Sequence, residues 1–261
     1  MAVATAARAD EANRQQLECA APPEFVRLSA PLPHVARRLA RHETLTIVAI
    51  GSSSTEGAGA STPESTYPSR LKAELRARFP GVPILMLNRG IGGEDASEML
   101  ARMNRDVHKL HPDLVLWQVG TNAILKYDGI SREAPVIRQG LKLLHEADAD
   151  IVIIDPQYAP IVLHDPDTDP MIELIAAIAK EETVPVFSRF ALMRYWRENR
   201  AIPFEAFLSP DLLHLNDWSY GCWATNLAEA IAQAVPAMKN ETGTVATASA
   251  IVPLQPGNSA R

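Results

Sequence analysis

Residues 45–51 read LTIVAIG, an unbroken apolar run that stops at a glycine. A strand with one wet face alternates apolar and polar side chains, so a run without alternation fits a strand covered on both faces of a sheet. The same signal returns along the chain in VPILMLN (82–88), DLVLWQVG (113–120), DIVIIDP (150–156) and VPVFS (184–188). Stretches of helical period lie between these runs. In YPSRLKAELRARF (67–79), Tyr67, Leu71, Leu75 and Phe79 recur every four residues and form one stripe. Ala96, Met99, Leu100, Met103 and Val107 line a second helix, and Ile137, Leu141 and Leu144 a third. Ile172, Ile175, Ala176 and Ala179 line a fourth, and Ser219 to about Ala237 reads as a closing helix. This alternation predicts an α/β domain over residues 44–238, a three-layer α/β/α sandwich around a five-stranded parallel sheet. Residues 1–43 read as a leader with scattered prolines and a basic, solvated patch (Arg37, Arg38, Arg41), and residues 239–261 as a flexible tail.

Composition narrows the function. The chain has 261 residues, 47% hydrophobic and 21% charged, as in ordinary globular proteins and unlike disordered or coiled-coil chains. Its formal charge of −6 gives no field that would draw it to phosphate backbones or anionic lipid, so nucleic acid is not the expected partner. No stretch reads as a membrane span; the uncharged Thr242–Ala260 segment is interrupted by Pro253, Pro256 and Gly257. The opening MAVATAARADE ends in Ala-Arg-Ala like the end of a secretory signal, but it has no basic segment and too short an apolar one. The compartment stays open between exported and cytoplasmic. Cys19 and Cys222 are one bridge if the chain is exported and two thiols otherwise. Oligomeric state is not legible.

In parallel sheets ligands bind at the carboxyl ends of the strands, so the residues just after each run carry the chemistry. Four loops stand out: Gly51-Ser52-Ser53-Ser54-Thr55-Glu56-Gly57, Asn88-Arg89-Gly90-Ile91-Gly92-Gly93, Gly120-Thr121-Asn122 and Asp211-Leu212-Leu213-His214. A serine in a strand-to-loop turn offers a hydroxyl and its own N–H. A histidine can take the hydroxyl proton, and an aspartate three residues earlier can fix the imidazole tautomer. A glycine N–H and an asparagine amide can stabilise an oxyanion. The first loop is not a P-loop, since no Gly-Lys-Ser/Thr follows. It is not a dinucleotide fingerprint, since Thr62 stands where the third glycine belongs. It is not a G-x-S-x-G elbow either, since Thr55 holds the last glycine position.

Taken together, IVAIGSSSTEG, NRGIGGEDA, VGTNA and DLLHLND resemble, in order and spacing, the four blocks of the SGNH (GDSL-type) serine hydrolases. The resemblance covers about Leu45 to Trp223 and implies the family's flavodoxin-like winding and esterase chemistry. It implies Ser53 as nucleophile, His214 as base and Asp211 as its orienting acid, with the Ser53 and Gly93 N–H groups and Asn122 as oxyanion donors. The chain departs from the family at Ser52, where the G-D-S triplet has aspartate; Ser54 is the second-choice nucleophile. The expected substrate is a small-molecule or carbohydrate ester with a short, foremost acetyl, acyl group, and the chemistry needs no cofactor. An O-acyltransferase acting on sugar, a lysophospholipase or thioesterase, and a non-catalytic carbohydrate-binding domain are the rival readings.

Each residue also has a plainer explanation. The glycines can serve backbone geometry alone, Asn122 can cap the next helix, and Asp217 competes with Asp211 for His214. Gln157 and Tyr158, after the fourth run, are candidates to line the substrate pocket, with turn packing as the equal alternative. Trp196, Phe204 and Phe207 read as pocket wall or core. The acidic loop 164–170 lacks the spacing of a calcium loop and reads as a solvated approach to a helix; no metal site is expected.

Overall fold

The 45–51 run forms a seven-residue strand that is buried along nearly its whole length, and the sheet is built around it. The computed structural model describes residue 19, residues 21–126 and residues 130–235. The strands are β1 (Leu45–Gly51), β2 (Ile84–Gly90), β3 (Leu114–Gln118), β4 (Asp150–Ile154) and β5 (Val186–Phe187). All pairings are parallel, in the order β2-β1-β3-β4-β5. The helices, in chain order, are α1 (Pro33–Arg41), α2 (Ser53–Glu56), α3 (Tyr67–Arg78), α4 (Ala96–Asp106), α5 (Thr121–Leu125), α6 (Ile130–His145), α7 (Pro160–Leu163), α8 (Thr168–Glu181), α9 (Arg189–Glu198), α10 (Phe204–Phe207) and α11 (Asp217–Ala234). On one face of the sheet α3 packs against α11; on the other, α4, α6 and α8 pack side by side. The result is the three-layer α/β/α sandwich. Because the strand order reverses between β1 and β3, the loops after these two strands diverge and leave a crevice at the switch point.

Strand ends differ from the sequence reading for local reasons. β2 starts two residues later than expected because Pro83 has no N–H; its carbonyl instead accepts the Leu45 N–H, and the ladder opens at Leu45↔Ile84. It then runs on to Gly90, opposite Gly51. β5 shrinks to two residues, paired only with Ile153 and Ile154. The closing helix starts at Asp217 because Asn216 and Ser219 form a reciprocal capping box.

The described part of the 1–43 segment is folded against the domain. Leu28, Leu32 and Val35 enter the same core as the sheet. The Val35 N–H donates to Asp150 and the Leu32 N–H to the Ala234 carbonyl. Arg38, expected as solvated, pairs with Asp113 and Glu43. Cys19 and Cys222 are joined in a disulfide with a Cα separation of 5.0 Å, which fastens the N-terminal segment to α11. Residues 239–261, expected as a tail, lie outside the described residues. Among the described residues no helix is long and apolar enough to cross a membrane.

Candidate active site

Ser53 is the first residue of α2, directly beyond β1. The turn that holds it is closed by Ser52, whose carbonyl accepts the Thr55 and Glu56 N–H groups. A second clamp comes from across the crevice. Gln118, buried at the end of β3, presents its Oε1 to the Ser52 N–H (2.9 Å), the Ser52 hydroxyl (3.2 Å) and the Thr55 hydroxyl (3.1 Å). Ser52 is therefore a double donor to Gln118. Ser54 is 1% exposed, closed off from solvent.

The Ser53 hydroxyl meets His214 Nε2 at 2.8 Å, and His214 Nδ1 meets Asp211 Oδ2 at 2.6 Å. The turn carrying the latter two is tight. Leu208 and Leu215 bridge antiparallel, the Ser209 N–H donates to the His214 carbonyl, and Leu212 takes a left-handed conformation (φ 54°). The other oxygen of Asp211 accepts the Ser209 hydroxyl and the N–H groups of Leu213 and His214. Partial burial pushes the Asp211 carboxyl up, but the bonds from His214, Ser209 and these two N–H groups outweigh it and hold it well below the usual carboxylate range. Asp217 does not compete for His214; it accepts the N–H and hydroxyl of Ser61. Gly59 has to be glycine here, since at φ 88° a Cβ would lie 2.3 Å from the Leu215 carbonyl.

The donor side of the crevice comes from the loops after β2 and β3. Neither the Ser53 nor the Gly93 backbone N–H has an acceptor among the described residues. Gly93 has φ 80° and open space around its Cα. Asn122 does not cap α5, whose N-cap is Gly120; it gives one amide proton to the Glu94 carbonyl at 2.7 Å and keeps a second. Sequence reasoning did not find what braces this loop. Arg102, 7% exposed, binds Glu94, Asp106 and the Gly51 carbonyl, and so ties α4 to the end of β1. Asp95 caps α4 in a capping box with Glu98, and Lys126 spans both carboxylates.

Gln157 stands elsewhere than a pocket lining. It is 1% exposed and bound behind the crevice. Its Oε1 accepts the Thr121 hydroxyl and Arg189 Nη2, both at 2.8 Å, and its Nε2 reaches the Leu213 carbonyl at 3.5 Å. It thus links the Asn122 loop to the His214 turn. Arg189 is fully buried over the Trp223 ring, and burial pulls its pKa down to about 10. Tyr158 is half-buried: its ring packs between Phe190 and Phe204, its hydroxyl donates to Glu198, and burial followed by that carboxylate pushes its pKa up to about 12. Trp196 and Phe207 are core; Phe204 is half-buried beside Tyr158.

The chain matches the Non-GDSL lipase-like family over residues 18–237. No curated protein matches it in sequence. Among solved structures it is similar to a two-domain esterase (CEX) active on acetylated mannans, at 18% identity and a TM-score of 0.69 over 80% of this chain. The matched part is 56% of that longer protein's length. It is also similar to the acetyl xylan esterase AlAXEase, at 20% identity and a TM-score of 0.61, over 72% of this chain and 100% of the other. A putative lipolytic protein of the G-D-S-L family from Desulfitobacterium hafniense DCB-2 matches at 18% identity and a TM-score of 0.58, over 71% of this chain and 98% of the other. At these identities the likeness is one of fold.

Proposed function

Since the chain belongs to the Non-GDSL lipase-like family, we propose that it is a serine esterase that removes short acyl groups, acetyl foremost, from carbohydrate esters. The observation that carries this reading is the continuous hydrogen-bonded series Ser53–His214–Asp211 opening on a crevice with free N–H donors. In the reaction, Ser53 Oγ attacks the ester carbonyl while His214 Nε2 takes its proton. Asp211 accepts from Nδ1–H, which keeps the base nitrogen facing Ser53 and stabilises the imidazolium. The negative charge on the former carbonyl oxygen falls to the N–H groups of Ser53 and Gly93 and the second amide proton of Asn122. One such donor is worth roughly 2.7–4 kcal/mol in acyl transfer. His214 then protonates the leaving alkoxide. Water, deprotonated by the same imidazole, attacks the acyl-serine and releases the acid and free Ser53.

Acetyl esters of xylan and mannan, the substrates of the two esterases of similar fold, are the first compounds to try. Ser53→Ala is expected to abolish hydrolysis of 4-nitrophenyl acetate and acetylated glycans while the circular dichroism spectrum and Tm stay those of the wild type. A fully active Ser53→Ala variant would refute the assignment.

A further inference from the structure

Charge around Ser53 is spoken for at nearly every residue. Asp211 faces His214, Glu94 receives Arg102, and Asp95 and Glu98 share Lys126. Glu56 is the exception. It is exposed at the end of α2, three residues after Ser53, and its carboxylate has no hydrogen-bond or ion-pair partner among the described residues. It is nevertheless placed over the crevice. A Cβ built on Gly92 would sit 2.8 Å from Glu56 Oε2 and 3.8 Å from Ser53 Cβ. The Glu56 carboxylate and the Ser53 side chain therefore both lie against Gly92, and the absence of a side chain at residue 92 lets the carboxylate come this close to Ser53.

Among the described residues no cation reaches across to neutralise Glu56. Arg89, three residues before Gly92, is the candidate from the glycine loop, but strand alternation turns it away. Its neighbours Asn88 and Gly90 face α2: Asn88 Nδ2 donates to the Thr55 carbonyl, and a Cβ on Gly90 would meet the Glu56 backbone. Arg89 instead borders a groove of about 420 Å³ lined by Asn88, Gly90, Ile91, Arg102, Arg105 and Asp106. A lone carboxylate at this place can accept a hydrogen bond from a hydroxyl on the alcohol part of a bound ester, and it opposes a second negative charge there. For unit charges about 6 Å apart at an intermediate dielectric, that opposition is on the order of a tenfold change in kcat/KM.

Resting on the serine-esterase reading, we infer that Glu56 selects the alcohol moiety: it accepts from a free hydroxyl beside the acylated oxygen of a neutral sugar and turns away esters that carry a carboxylate in that position. The substrate class is thereby narrowed to neutral acetylated glycans as against acetylated uronates. The test compares kcat/KM for a monoacetylated methyl hexoside and the matching methyl hexuronide, in the wild type, Glu56→Gln and Glu56→Lys. Glu146→Gln, at an exposed position in the α6–β4 connection, is the charge control. The wild type and the control are expected to favour the neutral ester about tenfold. The preference should fall at least threefold in Glu56→Gln and shift further toward the uronide in Glu56→Lys. In the wild type alone, raising salt from about 10 mM to about 0.5 M should narrow the gap by screening, a readout that needs no variant to fold. A preference that neither the substitutions nor salt alters overturns the role of Glu56 and leaves the esterase intact. A wild type that cleaves 4-nitrophenyl acetate but neither glycoside ester overturns this inference alone; one that cleaves none of the three overturns the esterase reading with it.

Discussion

Two turns deliver their side chains to one hydrogen bond, and they are held in opposite ways. The Asp211–His214 turn is stabilised largely from within: the aspartate accepts from N–H groups two and three residues on, and from Ser209 two residues back. The Ser53 turn leans on a residue far away in sequence, since the carboxamide of Gln118 gathers three donors from Ser52 and Thr55. One turn is exposed and self-sufficient, the other buried and dependent. A self-contained turn can be written in four consecutive residues. A dependent one cannot be understood until β1 and β3 are known to be neighbours.

The largest expected effect breaks the junction itself. His214→Ala should lower kcat by about 10⁴-fold or more with little change in Tm, since the side chain contributes chemistry rather than core. Asp211→Asn comes next and isolates the local turn. Its oxygen can still accept from the Leu213 and His214 N–H groups, but its amide cannot accept from His214 Nδ1, so the imidazole loses its orienting partner. A kcat loss of about 10³–10⁴-fold in a folded protein is expected from turnover measurements; wild-type rates would mean that Asp211 does no more than shape the turn.

The distant support is tested by Gln118→Leu. It strands the Ser52 N–H and two buried hydroxyls without an acceptor, each orphan costing about 1–3 kcal/mol. Both Tm and the rate of Ser53 labelling by a fluorophosphonate should fall, the labelling by about tenfold to a hundredfold. Gln118→Glu keeps an acceptor at the same place and should recover part of the labelling rate. Equal labelling in Gln118→Leu and the wild type would show that the Ser53 turn is as self-contained as the other.

The same contrast explains what could be read from the chain. The apolar runs located all five strands because strands buried on both faces show no competing period. The D-x-x-H spacing, one tight turn, put Asp211 and His214 together on paper as they are in space. Helices α1 and α9 were not read. The buried face of α1 includes only Val35 and Ala36 as fully covered apolar residues, and α9 opens on Arg189, a charge at a core position that defeats an apolar pattern. Gln157 was placed after the right strand, but the sequence does not say which way it points, and Arg189 and Leu213, which hold it, lie 32 and 56 residues away. Gln118 and Arg102 escaped for the same reason.

The smallest effect concerns the buried support behind the self-contained turn. Arg189, which holds Gln157 beneath Leu213, also donates through Nε to the Asp155 carbonyl, and the Asp155 carboxylate accepts the Ser188 hydroxyl and the Phe190 N–H. Burial pushes the Asp155 pKa up to about 6, against about 3.9 in an unfolded chain. Between these values the folded protein keeps a proton that the unfolded chain has released, so this group's contribution to stability declines as pH rises from about 4 to about 6 and stays at its lower level above that. Asp155→Asn carries no titrating group and lacks the decline. The Tm of the variant minus that of the wild type should therefore climb by a few degrees across that window, roughly 1–3 kcal/mol, and level off above it. A difference that is flat from pH 4 to 7 would mean that Asp155 titrates normally, with the buried arginine compensating it fully. The support behind the His214 turn would then be an ion pair rather than a strained burial.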